Sequence, residues 1–418
     1  MKLYTQMHIL FAHKNYPAQF GHIARHLIDH HDCTCTFVSE KPPARQRGLE
    51  RLQYKYPSGA TEKTHLFSRT FENQIWHSHA LFNVLESRPD IQPDLIVGHS
   101  GFVSTLYLRE LYDCPIINYF EFFYHTKDSD LDFRRDLPAY GAEELLRART
   151  RNAIFLLDLQ NCDRGYSPTH FQRDQLPQEY RAKVEAIFDG IDTNLWKPVE
   201  NPKRTFAGWT LPEDKKIVTY VSRGMEAMRG FDIFMKIANR ICKQRDDVIF
   251  VVVGEDRIAY GGDKRFTGGM TFKQWVLSED EYDLERILFL GRIPPVDLVQ
   301  LFSVTDLHFY LTAPFVLSWS MMDALACGAL VMGSDTPPVK EMIKHGENGL
   351  LFDFFDIDAA VAQANEVLDQ PEQFQPQRDA AVELIRENYS MEVCLPKMLA
   401  LYQQAAEQHQ ASHRQRSS

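Results

Sequence analysis

The sequence predicts an α/β protein built from two doubly wound domains. Short apolar segments of strand length alternate with segments of helical periodicity, beginning with residues 7–13 and the helix predicted at residues 20–31. Such alternation is typical of parallel sheets covered by helices. A second series of the same kind begins at residues 216–222. The chain has 418 residues, more than one hydrophobic core usually serves, and its 44% hydrophobic content is ample for two.

In the first half, further strands are predicted at residues 33–40, 94–100 and 115–121, and residues 142–169 should form a helix, a strand and the start of another helix. Ligands of open α/β sheets bind at the carboxyl ends of the strands. The candidate binding residues at these ends are His13, His99, Ser100 and Glu121.

Gly21 lies near the turn that follows the first strand. A missing side chain there has two explanations, close packing of helix against strand or close approach of a phosphate or sugar to the backbone. The sequence has no GxGxxG motif, so a nicotinamide or flavin dinucleotide is not favoured.

Two surface segments also allow two interpretations. Residues 119–136 combine dense aromatics with mixed charges, which suits either a sugar acceptor or an irregular loop with aromatics packed beneath it. Arg147, Arg149 and Arg151 form either a solvated face or a patch for peripheral contact with a membrane.

Residues 200–216 are rich in proline and charge and are predicted to link the domains. The expected organisation is an N-terminal domain at 1–200, a C-terminal domain at 201–389, a helix at 390–408 that packs back toward the first domain, and a disordered tail at 409–418.

Composition excludes several classes of protein. A net charge of −11 argues against a nucleic acid partner, since phosphate binding needs a basic field. The seven cysteines contain no CxxC pair, so neither a zinc site nor a disulfide framework is indicated. The N-terminal apolar run is too short for a signal peptide and no apolar segment reaches 18 residues, so we expect a cytoplasmic protein with reduced thiols.

In the second half, Arg223 ends a predicted strand, and Arg229 follows six residues later, before a helix from Phe231. A strand-to-helix turn would bring both guanidinium groups to one diphosphate. The alternative explanation of the same pattern is a pair of surface arginines that bind no ligand. The next strand ends at Gly254. The glycine-rich loop after it indicates a mobile rim or a phosphate cradle.

Residues 311–352 predict a loop, a helix, a buried strand, a turn and another helix. Ser318 and Ser320 begin the first helix, whose free N–H groups would bind an anion, and Asp323 lies one turn in, where a carboxylate would hold a ribose diol. The alternative is a helix packed on any parallel sheet, with Asp323 favouring the helix dipole.

The strings DALACG (323–328) and GSD (333–335) resemble the signature of family 4 glycosyltransferases of the GT-B fold, with Asp323 where the family usually has Glu. FDGIDTNLWKP (188–198), SRGMEAMRGFDIFMKI (222–237) and FLGRIPPVDLVQLFSVTDLHFYLT (289–312) resemble further family segments in the same order. The resemblance therefore covers nearly the whole chain.

The resemblance implies two Rossmann-like domains facing across a cleft and retaining transfer of a sugar from a nucleotide diphosphate to a glycan or lipid-linked acceptor. No metal or other cofactor is expected, because the two arginines and the start of a helix would stabilise the negative charge of the diphosphate. Arg223, Arg229 and Glu121 would be catalytic, with Glu121 standing where many members have His. The donor-binding positions would be Gly21, His99, Gly254, Arg292, Ile293, Ser318, Trp319, Ser320 and Asp323.

One position departs from the family pattern. Phe315 stands where the first signature carboxylate, which usually contacts the donor sugar, is expected, and it would pack near the sugar together with Trp319. This departure favours one alternative to a transferase, a protein that binds a nucleotide sugar without turnover. A second alternative is another enzyme of this fold, such as a nucleotide-sugar epimerase. A phosphorylase is disfavoured because no lysine has a recognisable cofactor setting.

Overall fold

A computed structural model describes residues 7–416 of the chain and the side chains of residues 7–411. The chain forms two compact units. The first comprises the residues up to Lys127, Tyr140–Asp189 and the C-terminal residues from Cys394, and the second comprises Asp128–Ala139 and Gly190–Val393. The division along the chain therefore falls at Asp189, earlier than the expected position near 200, and a short piece of the first half belongs to the second unit.

The elements alternate along the chain as the periodicity predicts. The strands of the first half are β1 His8–Ala12, β2 Thr34–Ser39, β3 Ala44–Gln46, β4 Leu49–Gln53, β5 Leu95–His99, β6 Ile116–Tyr119, β7 Arg164–Ser167 and β8 Val184–Ala186. Its helices are α1 Gly21–His31, α2 Arg69–Glu86, α3 Asp130–Phe133, α4 Ala142–Arg151, α5 Ala153–Asn161, α6 His170–Asp174 and α7 Gln178–Arg181.

The second half continues the same pattern. Its strands are β9 Thr205–Phe206, β10 Trp209–Thr210, β11 Lys216–Gly224, β12 Val248–Glu255, β13 Ile287–Gly291, β14 Leu307–Tyr310, β15 Val331–Ser334 and β16 Leu350–Phe352. Its helices are α8 Phe231–Gln244, α9 Phe272–Glu279, α10 Pro295–Val304, α11 Trp319–Ala326, α12 Pro337–Lys340, α13 Ile357–Asp369, α14 Gln375–Leu384 and α15 Met391–Arg416. Short 3₁₀ helices at Leu108–Glu110, Ala227–Arg229, Asp263–Arg265 and Pro371–Phe374 and a π-helical turn at Ile385–Tyr389 complete the list.

Each unit contains one mostly parallel sheet. The order in the first unit is β3-β4-β2-β1-β5-β6-β7-β8, with only β3 antiparallel to its neighbour β4. The order in the second is β13-β12-β11-β14-β15-β16, and all of its pairs are parallel. In both sheets the strand order reverses beside the strand that comes first along the chain in the parallel sheet, between β1 and β5 and between β11 and β14. Both are therefore Rossmann-like, with a switch point at which ligands bind in this class of sheet.

The cores follow from the apolar patterning. In α8, the side chains at helical spacing, Phe234, Ile237 and Ile241, are fully buried. The Phe234 ring packs against Tyr220 and Phe309 from the sheet, with centroids 5.0 and 5.8 Å away. In the first unit, Ile9 to Ala12 of β1 are fully buried, as expected for a central strand with both faces covered. All seven cysteines are buried and none forms a disulfide.

Three segments differ from the sequence-based expectation. Residues 200–216, expected as a linker, lie within the second unit and contain the small antiparallel pair β9 and β10. The expected disordered tail is helical as far as Arg416, where α15 continues through helix-forming Gln, Ala and Arg residues; residues 417–418 lie outside the described range. Of residues 119–136, Phe120, Phe122 and Phe123 are buried, as in the interpretation of a loop with packed aromatics.

Within residues 7–416, none of the helices is both long enough and apolar enough to span a bilayer.

Candidate active site

The switch point of the second unit brings the predicted phosphate-binding segments together. Arg223 lies at the carboxyl end of β11, and the 3₁₀ turn Ala227–Arg229 follows it. The loop after β14, the neighbour of β11, leads to α11 at Trp319. The segment from Arg223 to Arg229 and the distant start of α11 therefore meet at one edge of the sheet, as the sequence predicted for Arg223, Arg229 and the helix start.

Arg229 is held inside this edge. Only 5% of its surface is exposed. Its Nη1 donates to Thr312 Oγ1 at 2.8 Å and to Tyr310 Oη at 3.4 Å. Tyr310 Oη in turn accepts the backbone N–H of Ser318 at 2.8 Å. One tyrosine hydroxyl thus joins the guanidinium group to the start of α11.

Arg223 is exposed but lies against the same group of side chains. Its Nη1 donates to Tyr260 Oη at 2.8 Å. The Cζ atoms of Arg223 and Arg229 are each 5.8 Å from the centroid of the Tyr260 ring. Two cations that share one aromatic ring are close enough to bind a single diphosphate, and the ring offsets part of their mutual repulsion.

Phe315 packs within this cluster. Its ring centroid lies 5.7 Å from Arg229 Cζ and 5.6 Å from the Tyr260 ring. An aromatic ring therefore contacts a guanidinium group at the position where the sequence lacks the expected carboxylate. Trp319, expected beside Phe315, is 44% exposed.

The start of α11 differs from the expectation in one respect. The sequence predicted that the N–H groups of residues 318–320 are available to an anion. The N–H of Ser318 donates instead to Tyr310, and that of Ser320 donates to the Ser318 hydroxyl at 3.3 Å. The expectation is wrong for these two groups, because nearby hydroxyl oxygens accept them. A phosphate oxygen would have to replace these hydroxyl acceptors.

Asp323 lies one turn into α11, as predicted. It keeps part of its surface exposed, yet the surrounding protein raises the pKa of its carboxyl group well above the usual value through desolvation. Contact of this desolvated carboxyl group with a ribose diol stays a prediction.

The glycine-rich loop after β12 is anchored by a residue that sequence reasoning missed. Glu226 is fully buried, and its Oε2 accepts three consecutive N–H groups, those of Ala259, Tyr260 and Gly261, at 3.0, 2.8 and 2.9 Å. One interpretation of this loop was a phosphate cradle. These three N–H groups bind instead the side chain of Glu226. The anchor fixes Tyr260 beside both arginines.

The two predicted donor-site glycines have structural explanations. A Cβ on Gly21 would lie 2.3 Å from Cβ of Pro17, so the turn before α1 needs the missing side chain. A Cβ on Gly254, whose φ is +144°, would lie 2.0 Å from the carbonyl oxygen of Ser222 on β11. The close approach at Gly21 is thus to Pro17 of the turn and not the expected packing of helix against strand, and contact of either glycine with a donor stays a prediction.

Arg292 and Ile293 follow β13, which β12 separates from β11. Arg292 is exposed, whereas Ile293 is only 8% exposed. They lie at the same edge of the sheet as Arg223, two strands away. Their predicted contact with the donor stays a prediction.

The first unit has its own cluster at the switch point between β1 and β5. The rings of His13 and His99 lie 4.9 Å apart, centroid to centroid, and both are buried. Desolvation lowers the pKa of His13 to about 4 and that of His99 well below the usual value, so both rings are neutral at pH 7. His99 Nε2 lies 3.8 Å from Glu121 Oε2, which is too far for a hydrogen bond.

The tautomer of His99 follows from its neighbour. Its Nδ1 is 2.8 Å from the carbonyl oxygen of Ser100, which can only accept, so Nδ1 carries the hydrogen. Nε2 is then a lone-pair acceptor, and it has no hydrogen-bond partner among the described residues. A buried acceptor without a partner suits a hydroxyl donor, and this cluster is our candidate site for a sugar hydroxyl.

Asp158, which sequence reasoning missed, supports the loop behind His99. It is fully buried on α5 and accepts the hydroxyl of Ser100 at 2.7 Å and that of Ser104. Desolvation raises the pKa of Asp158 to about 7, although the hydrogen bonds from the two serines lower it. The signal in the sequence was a single acidic residue inside the apolar run AIFLLDLQN.

Asp158 should make stability depend on pH. Since its pKa is raised by folding, the native state holds a proton that the unfolded chain has already released between about pH 4 and pH 7. Its contribution is therefore full below pH 4 and is lost as the pH rises to about 7, with a slope approaching about 1.4 kcal/mol per pH unit. Asp158→Asn should remove this slope.

The measurement is urea denaturation of both proteins at several pH values from 4 to 8. We expect the unfolding free energy of the wild type, minus that of Asp158→Asn, to fall as the pH rises. Asp174→Asn, on an exposed carboxylate, is the matched control. A difference that stays flat would contradict the buried, protonated carboxyl group.

Comparison with known proteins agrees with this geometry. The protein family described as Glycosyl transferase family 4 group matches residues 31–196, and the family described as Glycosyl transferases group 1 matches residues 202–385. The N-acetyl-alpha-D-glucosaminyl L-malate synthase of Bacillus anthracis is 22% identical over 221 residues, which are 52% of this chain and 53% of that protein. The chain thus spans about half the length of the curated relatives that it matches.

Solved structures are similar along nearly the whole chain. Sucrose-phosphate synthase from Thermosynechococcus elongatus has a TM-score of 0.71 at 16% identity, over 96% of this chain and 99% of that one. Anabaena Alr3699/HepE, in complex with UDP and glucose, has a TM-score of 0.63 at 14% identity, over 97% and 100%. At such identities the likeness concerns the fold, which is GT-B. The two family models match both halves in order, and the chain belongs to the family 4, group 1 glycosyltransferases.

Proposed function

We propose that this glycosyltransferase moves a hexosyl group from a nucleoside diphosphate sugar to an acceptor hydroxyl, with retention at the anomeric carbon. The observation that carries the proposal is the convergence of Arg223, Arg229 and the start of α11 in the second unit. The UDP bound in the similar Anabaena structure supports a nucleotide donor.

The proposed chemistry uses these groups where charge develops. The bond between the anomeric carbon and the β-phosphate oxygen breaks, and its electron pair stays on the phosphate. The acceptor oxygen bonds to the same face of that carbon, and its proton passes to the departing phosphate. Two guanidinium groups then stabilise the leaving charge, and each such preorganised donor contributes roughly 3 kcal/mol in a site of low polarity. The proposal includes no metal ion.

The first unit is proposed to bind sugar hydroxyls through the acceptor Nε2 of His99 and the carboxylate of Glu121. Glu121 is a proposed catalytic residue because its side chain, 27% exposed, lies 3.8 Å from that nitrogen. The proposed acceptor is a glycan or a lipid-linked sugar in polysaccharide or lipopolysaccharide assembly. Exposed Arg149 and the 54% exposed Leu146 on α4 support peripheral contact with a membrane.

One observation favours a second candidate, a protein that binds a nucleotide sugar without turnover. Tyr260 packs on both arginines and Phe315 packs on Arg229, and Arg223 already donates to Tyr260. A donor that engages Arg223 through the same hydrogen must displace this contact. A binding protein would tolerate this arrangement, and so would a transferase whose donor repositions Tyr260.

The test is incubation of the purified protein with UDP-glucose, UDP-N-acetylglucosamine, ADP-glucose and GDP-mannose, followed by chromatography. We expect slow release of a nucleoside diphosphate from one of them, and early proton NMR spectra should show the α-anomer of the sugar. Tight binding without release would support the binding protein, and an isomerised donor would support an epimerase. Arg223→Ala should abolish cleavage; undiminished cleavage would refute the assignment.

A further inference from the structure

A short segment from the first half of the chain is built into the second unit. Residues Asp128–Ala139 leave the first unit after Lys127 and return to it at Tyr140. The segment is ordered by its own contacts, because Asp132 accepts the N–H groups of Asp128 and Ser129 at 2.8 and 2.9 Å. We call Asp128–Ala139 the inserted segment.

Arg134 is the main attachment of the inserted segment. It is 8% exposed, and its guanidinium group forms a two-pronged ion pair with Asp232, the second residue of α8, at 2.6 and 3.0 Å. A second two-pronged pair with Asp136 has both distances at 2.8 Å. A buried cation with this many partners is fixed in place.

The same guanidinium group also reaches the turn that carries Arg229. Nη1 of Arg134 donates to the carbonyl oxygen of Ala227 at 2.5 Å. The N–H of Ala227 donates to the buried Asp263 at 2.9 Å. Both backbone groups of Ala227 are therefore bound by charged side chains from remote segments, and Ala227 is two residues before Arg229.

The Ala227–Arg229 turn depends on such contacts because it is short. One turn of 3₁₀ helix closes through the hydrogen bond from Gly230 N–H to Ala227, and Gly230 then adopts a left-handed conformation with φ of +62°. Short 3₁₀ segments have poorer hydrogen-bond geometry than an α-helix. The direction of the Arg229 side chain therefore depends on what fixes the turn.

We propose that Arg134 is a positioning residue for the phosphate-binding arginine Arg229. It acts through the Ala227 carbonyl group, and it does not contact the donor. This inference rests on the proposed function, since it assigns Arg229 to the donor diphosphate. The competing explanation is that Arg134 only neutralises the buried carboxylate of Asp232 and so serves folding alone.

Three variants separate the two explanations. Arg134→Met removes the contact to Ala227 and leaves Asp232 as a buried, unpaired charge, so it loses both stability and positioning. Asp232→Asn removes the charge pair but retains the bond from Arg134 to Ala227, with Arg134 still paired to Asp136. The double variant Arg134→Met, Asp232→Leu replaces the pair by apolar groups, which is often neutral for stability, but leaves Ala227 without its guanidinium partner.

The experiment measures the melting temperature of each variant and its affinity by isothermal titration for whichever of UDP, ADP and GDP binds the wild type most tightly. We expect roughly tenfold weaker binding for Arg134→Met and for the double variant, since a small displacement of a site group has effects of this order. Asp232→Asn should bind within about twofold of the wild type. The double variant should regain most of the lost melting temperature.

Two results would overturn the inference. One is a double variant that regains wild-type affinity along with its stability, and the other is Asp232→Asn binding as weakly as Arg134→Met. A wild type that binds none of the three nucleotides would instead overturn the proposed function, and this inference with it. If the wild type and Arg134→Met bind a nucleotide equally tightly, the inference is wrong and the proposed function is unaffected.

Discussion

Replacing Arg229 by alanine should slow cleavage of the donor by roughly 100- to 1,000-fold, the usual effect of removing one preorganised donor to a developing charge. Arg229 is buried, and Thr312 and Tyr310 hold its Nη1 in place, so a water molecule cannot reproduce its charge. Arg229→Lys should retain part of the rate, because lysine keeps the positive charge. It should not restore the full rate, because an ammonium group cannot make two parallel hydrogen bonds to a phosphate. The measurement is the rate of nucleoside diphosphate release at saturating donor.

The matched control for Arg229→Ala is Arg240→Ala in the same unit. Arg240 is a surface residue of α8 that pairs with Asp358 and lies outside the cluster at the switch point. We expect its rate to stay within about twofold of the wild type. Equal rates for Arg229→Ala and the wild type would remove Arg229 from the catalytic group.

Gly254→Ala should destabilise the second unit by about 3 kcal/mol or more. The φ of +144° at Gly254 belongs to a region that only glycine occupies without strain, and the added Cβ would lie 2.0 Å from the carbonyl oxygen of Ser222. That oxygen is backbone in the neighbouring strand and cannot rotate away. Chemical denaturation of the purified variant measures the loss.

Gly346→Ala controls for the conformational part of this effect. Gly346 also has a positive φ, +78°, but a Cβ there would meet no atom within 4 Å. We expect a cost of about 1 kcal/mol from backbone strain alone. If both variants lost the same stability, the close approach of β11 and β12 at Gly254 would not be a tight constraint.

The sequence predicted the regular elements well where burial is continuous. The predicted strand at 7–13 is observed as His8–Ala12, and the helix predicted from Phe231 begins there, because apolar periodicity reports directly on a buried face. The inserted segment was not predicted. Its attachment depends on Arg134 meeting a carboxylate 98 residues away, which no local pattern encodes.

The site was predicted in part for the same reason. Arg223, Arg229 and Ser318 lie at or beyond the carboxyl ends of neighbouring parallel strands, so topology alone brings them together. Glu226 and Tyr260 were missed because each lies in a loop, and their contact forms across 34 residues. The loss of free N–H groups at Ser318 was equally hidden, since it depends on the Tyr310 hydroxyl.

The most direct test of the account is titration of the wild type and of Arg229→Ala with UDP, ADP and GDP and with the corresponding nucleosides. The account predicts that the wild type binds one diphosphate at least about 100-fold more tightly than its nucleoside, and that Arg229→Ala loses most of this preference. Equal affinity of the wild type for diphosphate and nucleoside would contradict a diphosphate site at the switch point of the second unit.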